Sequence, residues 1–216
     1  MIKALLFDLD GVIIDSLAPH INAFIRVFKE IGISVSPDYV RSNFGQGATT
    51  LFEIAFKERG LALDSEKYSE LKDIYFREII KEGVIEIPGS IDFIKKAKKD
   101  FKIAVCSATH KKNLKLIAKH LNFDNITDVC LGRQDVINNK PAPDIYLKAA
   151  KILGVKPNDC IVFEDSPPGI SAGKSAGMKV IALTTNYTKK LLEEADFIIG
   201  GYDEIDIEEL KEGKIC

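Results

Sequence analysis

The sequence predicts an α/β protein in which helices cover both faces of a parallel sheet. Six short apolar runs have the composition of strands, and amphipathic helical stretches separate the later ones. Parallel neighbours need a crossover connection, so strands that alternate with helices favour a parallel sheet. The runs are almost entirely apolar, as expected for strands that are buried on both faces. They are residues 2–7, 102–106, 128–131, 160–163, 180–183 and 197–199.

The first predicted strand is followed by an inserted segment that contains no good strand candidate. Three apolar stripes with helical spacing repeat there, one around Phe24 and Phe28, one around Leu51 and one around Leu71. This pattern is typical of a small helical bundle. We therefore expect two domains, an α/β core formed by residues 1–15 and 86–216 and a helical domain formed by residues 16–85.

After the insertion, predicted strands and helices alternate to the end of the chain. Two of the helices are indicated by apolar residues that recur on one face. One face contains Leu114, Ile117, Ala118 and Leu121, and the other contains Ile145, Ala149 and Ile152. A third helix is predicted after Ser166, where a serine cap precedes proline in the first turn. The expected core is a three-layer, Rossmann-like arrangement.

Composition excludes several classes of protein. The chain has 216 residues, of which 46% are hydrophobic and 29% charged, as in folded globular proteins. Its 30 basic and 32 acidic residues give a net charge of −2, which argues against binding to nucleic acid or to a membrane surface. The sequence has neither a signal-peptide pattern nor a run of the roughly 20 apolar residues that span a membrane.

The four cysteines show no Cys-x-x-Cys pair and no histidine spacing typical of a zinc site. This pattern favours a reducing compartment. We therefore expect a cytoplasmic protein that is a monomer or a weak homodimer.

Two carboxylates follow the first predicted strand. Asp8 and Asp10 lie at its carboxyl end, the edge at which ligand sites form in open α/β sheets. Side chains alternate along a strand, so both would share one face. Gly11 starts a turn in which backbone amides can approach an anion. Because the two carboxylates repel each other, they imply a partner cation or a raised pKa on one of them.

Three other strand ends carry polar groups that suit phosphate or a metal ion. Ser107 follows the second predicted strand and precedes a helix, so its hydroxyl and the adjacent N–H groups suit phosphate. Lys140 precedes Pro141, and the prolines of this loop fix where the ammonium group points. Glu164 and Asp165 provide the hard oxygen ligands that Mg²⁺ prefers. We expect all these groups at one edge of the sheet.

With these residues in this order, the sequence resembles the haloacid dehalogenase-like superfamily of phosphohydrolases. The resemblance covers essentially the whole chain, and the inserted helical segment resembles that family's cap, which closes over the active site and sets substrate choice. Within the family, the sequence is most similar to phosphoglycolate phosphatases and β-phosphoglucomutases. The motifs are Asp-Leu-Asp-Gly-Val-Ile at 8–13, Ser107, Lys140 in Lys-Pro-Ala-Pro-Asp, and Glu-Asp-Ser-Pro-Pro-Gly at 164–169.

The resemblance implies a role for each of these residues. Asp8 would be the nucleophile that forms an aspartyl-phosphate, and Asp10 would protonate the leaving alcohol and then activate water. Mg²⁺ would be held by the Asp8 carboxylate, the Asp10 backbone carbonyl and Asp165. Glu164 would be a further ligand or would support the ligands. The groups that bind the phosphate would be those of Leu9, Gly11, Ser107, Ala108 and Lys140.

Substrate choice is expected to depend on the helical insertion. The loop Gly45-Gln46-Gly47 precedes a helix, and its Gly-x-Gly-Ala pattern resembles the cap loop of phosphoglycolate phosphatases. The loop departs from the mutase pattern, in which a basic residue is expected to bind a second phosphate. His20 stands where mutases also carry histidine, so it is a second candidate for substrate binding. Since two segments join the insertion to the core, we expect it to act as a hinged lid over Asp8.

These observations predict a Mg²⁺-dependent phosphatase that acts on a small phosphorylated metabolite and resembles phosphoglycolate phosphatase. A phosphosugar mutase of the β-phosphoglucomutase type is the alternative enzyme. A receiver module that accepts phosphate on an aspartate is an alternative from a regulatory class. A receiver has no need of a long helical insertion after its first strand, which favours the enzymes.

Overall fold

The computed structural model describes residues 1–45 and 47–214. These residues divide into two compact units. The core unit consists of Met1–Asp15 and the residues from Val84 onward, and the helical unit is Ser16–Gly83. Among the described residues, no helix combines the length and the apolar character needed to cross a membrane.

The described part of the core unit contains a six-stranded sheet and a two-stranded ribbon. The strands are β1 (Ala4–Phe7), β2 (Ile14–Asp15), β3 (Ile85–Glu86), β4 (Lys102–Cys106), β5 (Val129–Leu131), β6 (Cys160–Glu164), β7 (Lys179–Leu183) and β8 (Phe197–Ile199). The sheet is parallel and has the order β5-β4-β1-β6-β7-β8. Each of its six strands coincides with a predicted apolar run, so the α/β fold class is confirmed.

The ribbon is an element that the sequence analysis missed. Strands β2 and β3 are antiparallel, with Ile14 opposite Glu86 and Asp15 opposite Ile85. Two residues per strand are too few to show a period in the sequence. Because β3 pairs with β2, the core unit begins again at Val84 rather than at residue 86.

Nine α-helices are present among the described residues. The helical unit contains α1 (Leu17–Glu30), α2 (Pro37–Ser42), α3 (Ala48–Glu58) and α4 (Ser65–Ile79). The core unit contains α5 (Ser90–Ala97), α6 (Lys111–His120), α7 (Asp144–Leu153), α8 (Pro167–Ser175) and α9 (Ile207–Glu212). Helix α8 begins as predicted, because the Ser166 side chain accepts a hydrogen bond from the Gly169 N–H. The prediction for Ile152 is wrong: its side chain is 55% exposed, and Leu153 is buried instead.

Both faces of the sheet are covered in the core unit. On one face, Leu6, Cys106 and Val162 belong to a buried cluster with α7 and α8. On the other face, the rings of Phe7 and Phe163 stack with their centres 4.5 Å apart, and Phe93 of α5 lies 5.6 Å from Phe163. This two-sided burial explains why the six strands are mostly apolar; their charged residues, Lys102, Glu164 and Lys179, lie at strand ends.

The helical unit has an aromatic core of its own. Phe52 of α3 packs against two rings of α1, with ring centres 5.3 Å from Phe24 and 5.0 Å from Phe28. Asp64 caps the N-terminus of helix α4, because its carboxylate accepts hydrogen bonds from the backbone N–H groups of Glu66 and Lys67. The three predicted apolar stripes therefore correspond to α1, α3 and α4.

The register of the sheet sets the position of the polar residues. Phe7 of β1 is paired with Val105 of β4 and with Phe163 of β6. Because the three strands are parallel, the residues that follow Phe7, Val105 and Phe163 lie at the same edge of the sheet and at the same level. Asp8 and Glu164 are therefore neighbours, and Ser107 lies one residue further along on the other side of β1.

Candidate active site

A lysine and two carboxylates form the centre of the candidate site. The Lys140 Nζ lies 2.5 Å from Asp8 Oδ1 and 2.6 Å from Glu164 Oε1. The three side chains are at least nine-tenths buried. Lys140 reaches this position from the loop before α7, where the peptide bond to Pro141 is cis. The structure thus brings together residues that are 132 and 24 positions apart in the sequence.

The Glu164 carboxylate accepts hydrogen bonds from several parts of the chain. Its Oε1 accepts from Lys140 and from the Tyr146 hydroxyl at 2.9 Å. Its Oε2 accepts from the backbone N–H of Asp165, and from both the N–H and the hydroxyl of Ser166, at 2.9 to 3.1 Å. A carboxylate offers about four lone-pair positions, so these five donors occupy its acceptor capacity.

The start of α8 has room for this carboxylate because residue 169 is glycine. A Cβ on Gly169 would lie 1.7 Å from Glu164 Oε1. A second glycine, Gly11, allows the loop after β1 to approach Asp165. A Cβ on Gly11 would lie 2.0 Å from Asp165 Oδ2, and its φ of +79° is one that other residues rarely adopt.

Asp165 is the third carboxylate of the site. Its Oδ2 accepts a hydrogen bond from Asn186 Nδ2 at 2.7 Å. Oxygen atoms of Asp8, Glu164 and Asp165 lie within 4.8 Å of one another. This group of buried oxygens has the chemistry and the spacing of a site for a hard divalent cation.

Asp10 lies beside two hydroxyl groups at the end of β4. The Thr109 hydroxyl donates to Asp10 Oδ2 at 2.6 Å, and Ser107 Oγ lies 3.5 Å from the same oxygen. The Thr109 N–H donates to Ser107 Oγ at 2.9 Å. Ser107 and Thr109 are buried, whereas Ala108 between them is exposed. Its backbone N–H is therefore near a surface that solvent or a ligand can reach.

The turn after β1 is held together by its own backbone hydrogen bonds. The Leu9 carbonyl accepts hydrogen bonds from the N–H groups of Ile13 and Ile14 at 2.8 and 3.0 Å. The Gly11 N–H donates to the Ile14 carbonyl at 2.8 Å. The backbone amide of Gly11 is therefore used within the turn.

The electrostatics of the site are dominated by buried negative charge. Burial raises the pKa of Asp8 to about 8; Lys140 opposes this increase, and Glu164 and Asp10 add to it. Burial, reinforced by the charges of Glu164 and Asp8, also raises the pKa of Asp165 well above its usual value. Although burial works against a charged lysine, Asp8 and Glu164 raise the pKa of Lys140 well above its usual value. Lys140 therefore remains protonated and supplies one positive charge among several carboxylates.

Comparison with known proteins identifies the family. The model of the haloacid dehalogenase-like hydrolases matches residues 5–183. The chain belongs to this family. Its position in the subgroup of phosphoglycolate phosphatases and β-phosphoglucomutases, which the motifs predict, is also confirmed.

Three similar proteins illustrate this placement. The hydrolase is 31% identical over 201 residues to a phosphoglycolate phosphatase of Aquifex aeolicus, covering 91% of this chain and 92% of the relative. A crystal structure of β-phosphoglucomutase from Clostridium difficile has a TM-score of 0.82 and 27% identity, with 98% of this chain and 96% of that chain covered. The chloroplastic protein SUPPRESSOR OF QUENCHING 1 of Arabidopsis thaliana is 34% identical over 202 residues; the match covers 90% of the hydrolase but only 19% of that relative.

The remaining predicted residues lie in the helical unit of the hydrolase. His20 is buried, its ring stacks on Phe76 with centres 3.9 Å apart, and its Nδ1 lies 2.7 Å from the Nζ of the buried Lys72. Gly45 and Gly47 have positive φ angles of 94° and 93° before α3. Gln46 lies outside the described residues.

Sequence reasoning missed four residues that contact the predicted ones. Thr109 stands two positions after Ser107, so the motif itself could have indicated it. Tyr146 belongs to the apolar face of α7 and resembles an ordinary core residue. Asn186 and Lys72 carry no local signal, because their partners are 21 and 52 residues away.

Gly169→Ala tests whether Glu164 must keep its position. The new methyl group would overlap the carboxylate, so we expect a loss of about 1–3 kcal/mol in the free energy of unfolding. Displacement of Glu164 should also move Lys140 and lower the rate of hydrolysis about 10²-fold, as a misplacement of about 1 Å does. Urea unfolding and steady-state kinetics measure the two effects.

Gly173→Ala is the matched control in the same helix. Its Cβ would approach Val180 Cγ2 to 2.8 Å without touching Glu164. We expect it to reduce stability by a similar amount but to leave the rate of hydrolysis within about twofold, since steric crowding there is remote from the site. Equal losses of activity in the two variants would contradict a specific role for the Glu164 position.

Proposed function

We propose that the hydrolase is a Mg²⁺-dependent phosphatase that cleaves a small phosphate monoester through an aspartyl-phosphate on Asp8. The observation that carries this proposal is the pairing of the buried Asp8 with Lys140, next to the oxygens of Asp165. A carboxylate nucleophile repels a phosphate dianion, so it works only where neighbouring positive charge compensates. Lys140 supplies one such charge at 2.5 Å.

Asp8 and Asp165 are the residues that we propose to hold Mg²⁺. Their buried carboxylates have raised pKa values, which is the state expected of crowded carboxylates that lack a compensating cation. Asn186 occupies one oxygen of Asp165 and leaves the other for a cation. The bound ion would neutralise the negative charge of the phosphoryl group and of these carboxylates.

For Glu164, the hydrogen bonds favour support of the site over direct binding of the metal. The sequence left both roles open. Its two oxygens already accept five hydrogen bonds, and the residue is fully buried. Binding a cation would displace some of these donors and leave them unsatisfied in the interior. We therefore assign to Glu164 the orientation of Lys140 and of the turn into α8.

The reaction would proceed in two displacements at phosphorus. A carboxylate oxygen of Asp8 forms a bond to phosphorus while the bond to the leaving alcohol breaks, and Asp10 gives a proton to the alcohol oxygen. In the second step Asp10 takes a proton from a water molecule, whose oxygen attacks phosphorus and releases phosphate and the Asp8 carboxylate. Thr109 holds Asp10 through its Oδ2. The Ser107 hydroxyl and the amides of Leu9 and Ala108 would orient the phosphoryl oxygens.

The substrate is proposed to be a small phosphorylated metabolite, with the helical unit selecting it. The loop at residues 45–47 carries no basic residue in the sequence and offers no charge for a second phosphate. The similarity to a phosphoglycolate phosphatase over 92% of that relative supports the same class. The balanced charge of the chain favours a small molecule over nucleic acid.

A phosphosugar mutase is the second candidate, and one observation in the helical unit favours it. The ammonium group of Lys72 and the ring of His20 form a buried polar pair. The same ammonium group lies 3.6 Å from the buried carboxylate of Asp73. A cationic side chain in the helical unit, which we propose selects the substrate, would suit the second phosphate that a mutase has to bind. The similarity to the β-phosphoglucomutase structure points in the same direction.

Asp8→Asn should abolish turnover while the fold is kept. The amide is nearly isosteric but is a poor nucleophile, and loss of a nucleophile lowers kcat on the order of 10⁴-fold or more. Phosphate release from a panel of monoesters measures the effect. Asp159→Asn, at the opposite end of β6, is the matched control and should retain normal turnover. A covalent mechanism on Asp8 is excluded if Asp8→Asn remains active.

Removal of divalent metal should silence the wild-type enzyme, and Mg²⁺ should restore it. Mg²⁺ at 100 times its Kd should also stabilise the folded protein by about 2.7 kcal/mol, which raises the Tm independently of activity. Asp165→Asn should lose most of this Tm increase, whereas Asp159→Asn should keep it. Full activity in chelated protein, or an unchanged Tm response in Asp165→Asn, would refute the proposed site.

The two candidate functions differ in their products. Incubation with small monophosphates and with hexose 1-phosphates should release inorganic phosphate, because nothing in the proposed phosphatase site returns the phosphoryl group to the sugar. Phosphorus NMR of the reaction mixtures follows both products in one experiment. Rapid interconversion of sugar 1- and 6-phosphates with little free phosphate would instead establish the mutase.

A further inference from the structure

Tyr146 is a fully buried residue in the first turn of α7 that the proposed reaction does not use. Its hydroxyl donates to Glu164 Oε1 at 2.9 Å, and the same oxygen accepts from Lys140 Nζ at 2.6 Å. The Lys140 Nζ also lies 4.9 Å from the centre of the Tyr146 ring. Tyr146 therefore interacts with Lys140 in two ways: both side chains donate to Glu164 Oε1, and the Lys140 ammonium group lies over the Tyr146 ring.

Packing alone does not account for this hydroxyl. Tyr146 belongs to an apolar cluster of the core, in which a phenylalanine ring would fill almost the same volume. A buried hydroxyl loses its contacts with water and is tolerated only where it finds a partner. Burial and the adjacent Glu164 carboxylate raise the pKa of Tyr146 well above its usual value, so the hydroxyl stays protonated and remains a donor.

The hydroxyl has a specific position among the donors to Glu164. The backbone and side chain of residues 165 and 166 hold Oε2. Apart from Lys140 itself, Tyr146 is the donor to Oε1 among the residues that the structure describes. Removal of this hydroxyl would leave Oε1 fixed only by the lysine that it is meant to hold.

Lysine needs such a support more than most cationic residues. Its charge is a compact ammonium group on a flexible four-carbon stem, so its position is set by its acceptors rather than by its own geometry. Lys140 has two carboxylate partners, and a shift toward either one changes its distance from a phosphoryl group on Asp8. The aromatic face adds a weak attraction that limits its movement on a further side.

We propose that Tyr146 is a positioning residue that acts through Glu164 to hold the Lys140 ammonium against Asp8. This inference rests on the proposed role of Asp8 and Lys140 in phosphoryl transfer. Tyr146 touches neither substrate nor reacting atoms in this scheme. Its contribution is to keep Lys140 fixed while the phosphoryl group passes from the leaving alcohol to Asp8.

Tyr146→Phe tests the proposal because it removes the hydroxyl and keeps the ring. With Mg²⁺ and a chromogenic phosphate monoester, we expect kcat to fall about tenfold, the change that corresponds to loss of one hydrogen bond to a charged group. KM should change less than twofold. Tyr202→Phe is the matched control, because Tyr202 is also buried and its hydroxyl donates to the Val12 carbonyl at 3.0 Å.

A second measurement reports on Lys140 without any turnover. In the metal-free protein labelled with ¹⁵N, the ammonium signal of Lys140 is identified by its disappearance in Lys140→Arg. We expect Tyr146→Phe to shift or broaden this signal and Tyr202→Phe to leave it unchanged. This result supports the positioning role even if the wild-type protein hydrolyses none of the monoesters, which would refute the proposed function alone.

Two outcomes would overturn the inference. One is a Lys140 signal that is the same in wild type and in Tyr146→Phe. The other is an equal loss of kcat in Tyr146→Phe and Tyr202→Phe at matched loss of stability, because a general structural effect would then explain both.

Discussion

The buried carboxylate of Glu164 is the constraint on which the arrangement of the site depends. Removing an ionised carboxylate from water is unfavourable by several kcal/mol unless hydrogen bonds and an opposite charge compensate. Here the compensation comes from the turn into α8, the first turn of α7 and the loop that carries Lys140. One carboxylate thus connects three segments that lie within residues 140–166. Gly169 follows from the same requirement, because any side chain there would occupy the space of the carboxylate.

The parallel sheet explains why the residues that follow β1, β4 and β6 lie close together. Phe7, Val105 and Phe163 lie at one level across β4, β1 and β6, and each is buried between two layers. A strand that is buried on both faces cannot slip by one residue without losing its pairing with neighbours on either side. The sheet therefore fixes the backbone positions of the polar residues that follow, and hydrogen bonds then orient their side chains.

The sequence predicts much of this architecture because each strand is a mostly apolar run, and Asp8, Ser107 and Asp165 directly follow β1, β4 and β6. It does not predict the ribbon formed by Ile14 and Glu86, which is too short to show a period. It also leaves the role of Glu164 open, since that role depends on donors such as Tyr146 that resemble ordinary core residues. The contact between Asn186 and Asp165 cannot be predicted from the sequence either, because the two residues meet only through the pairing of β6 with β7 in the sheet.

The distribution of charge connects the fold to the reaction. Glu164 has its acceptors filled by five donors, one of them Lys140, whereas burial and the neighbouring negative charges raise the pKa values of Asp8 and Asp165. A phosphate dianion placed beside Asp8 would increase this repulsion, and Lys140 alone carries too little charge to offset it. Two routes relieve the repulsion: a proton on a carboxylate, or a divalent cation between them. A protonated Asp8 could not act as the proposed nucleophile, so the proposed mechanism requires the cation. In the proposed mechanism, the carboxylates that would be unfavourable in an ordinary core are therefore the groups that would bind the metal ion and, through it, the anionic substrate.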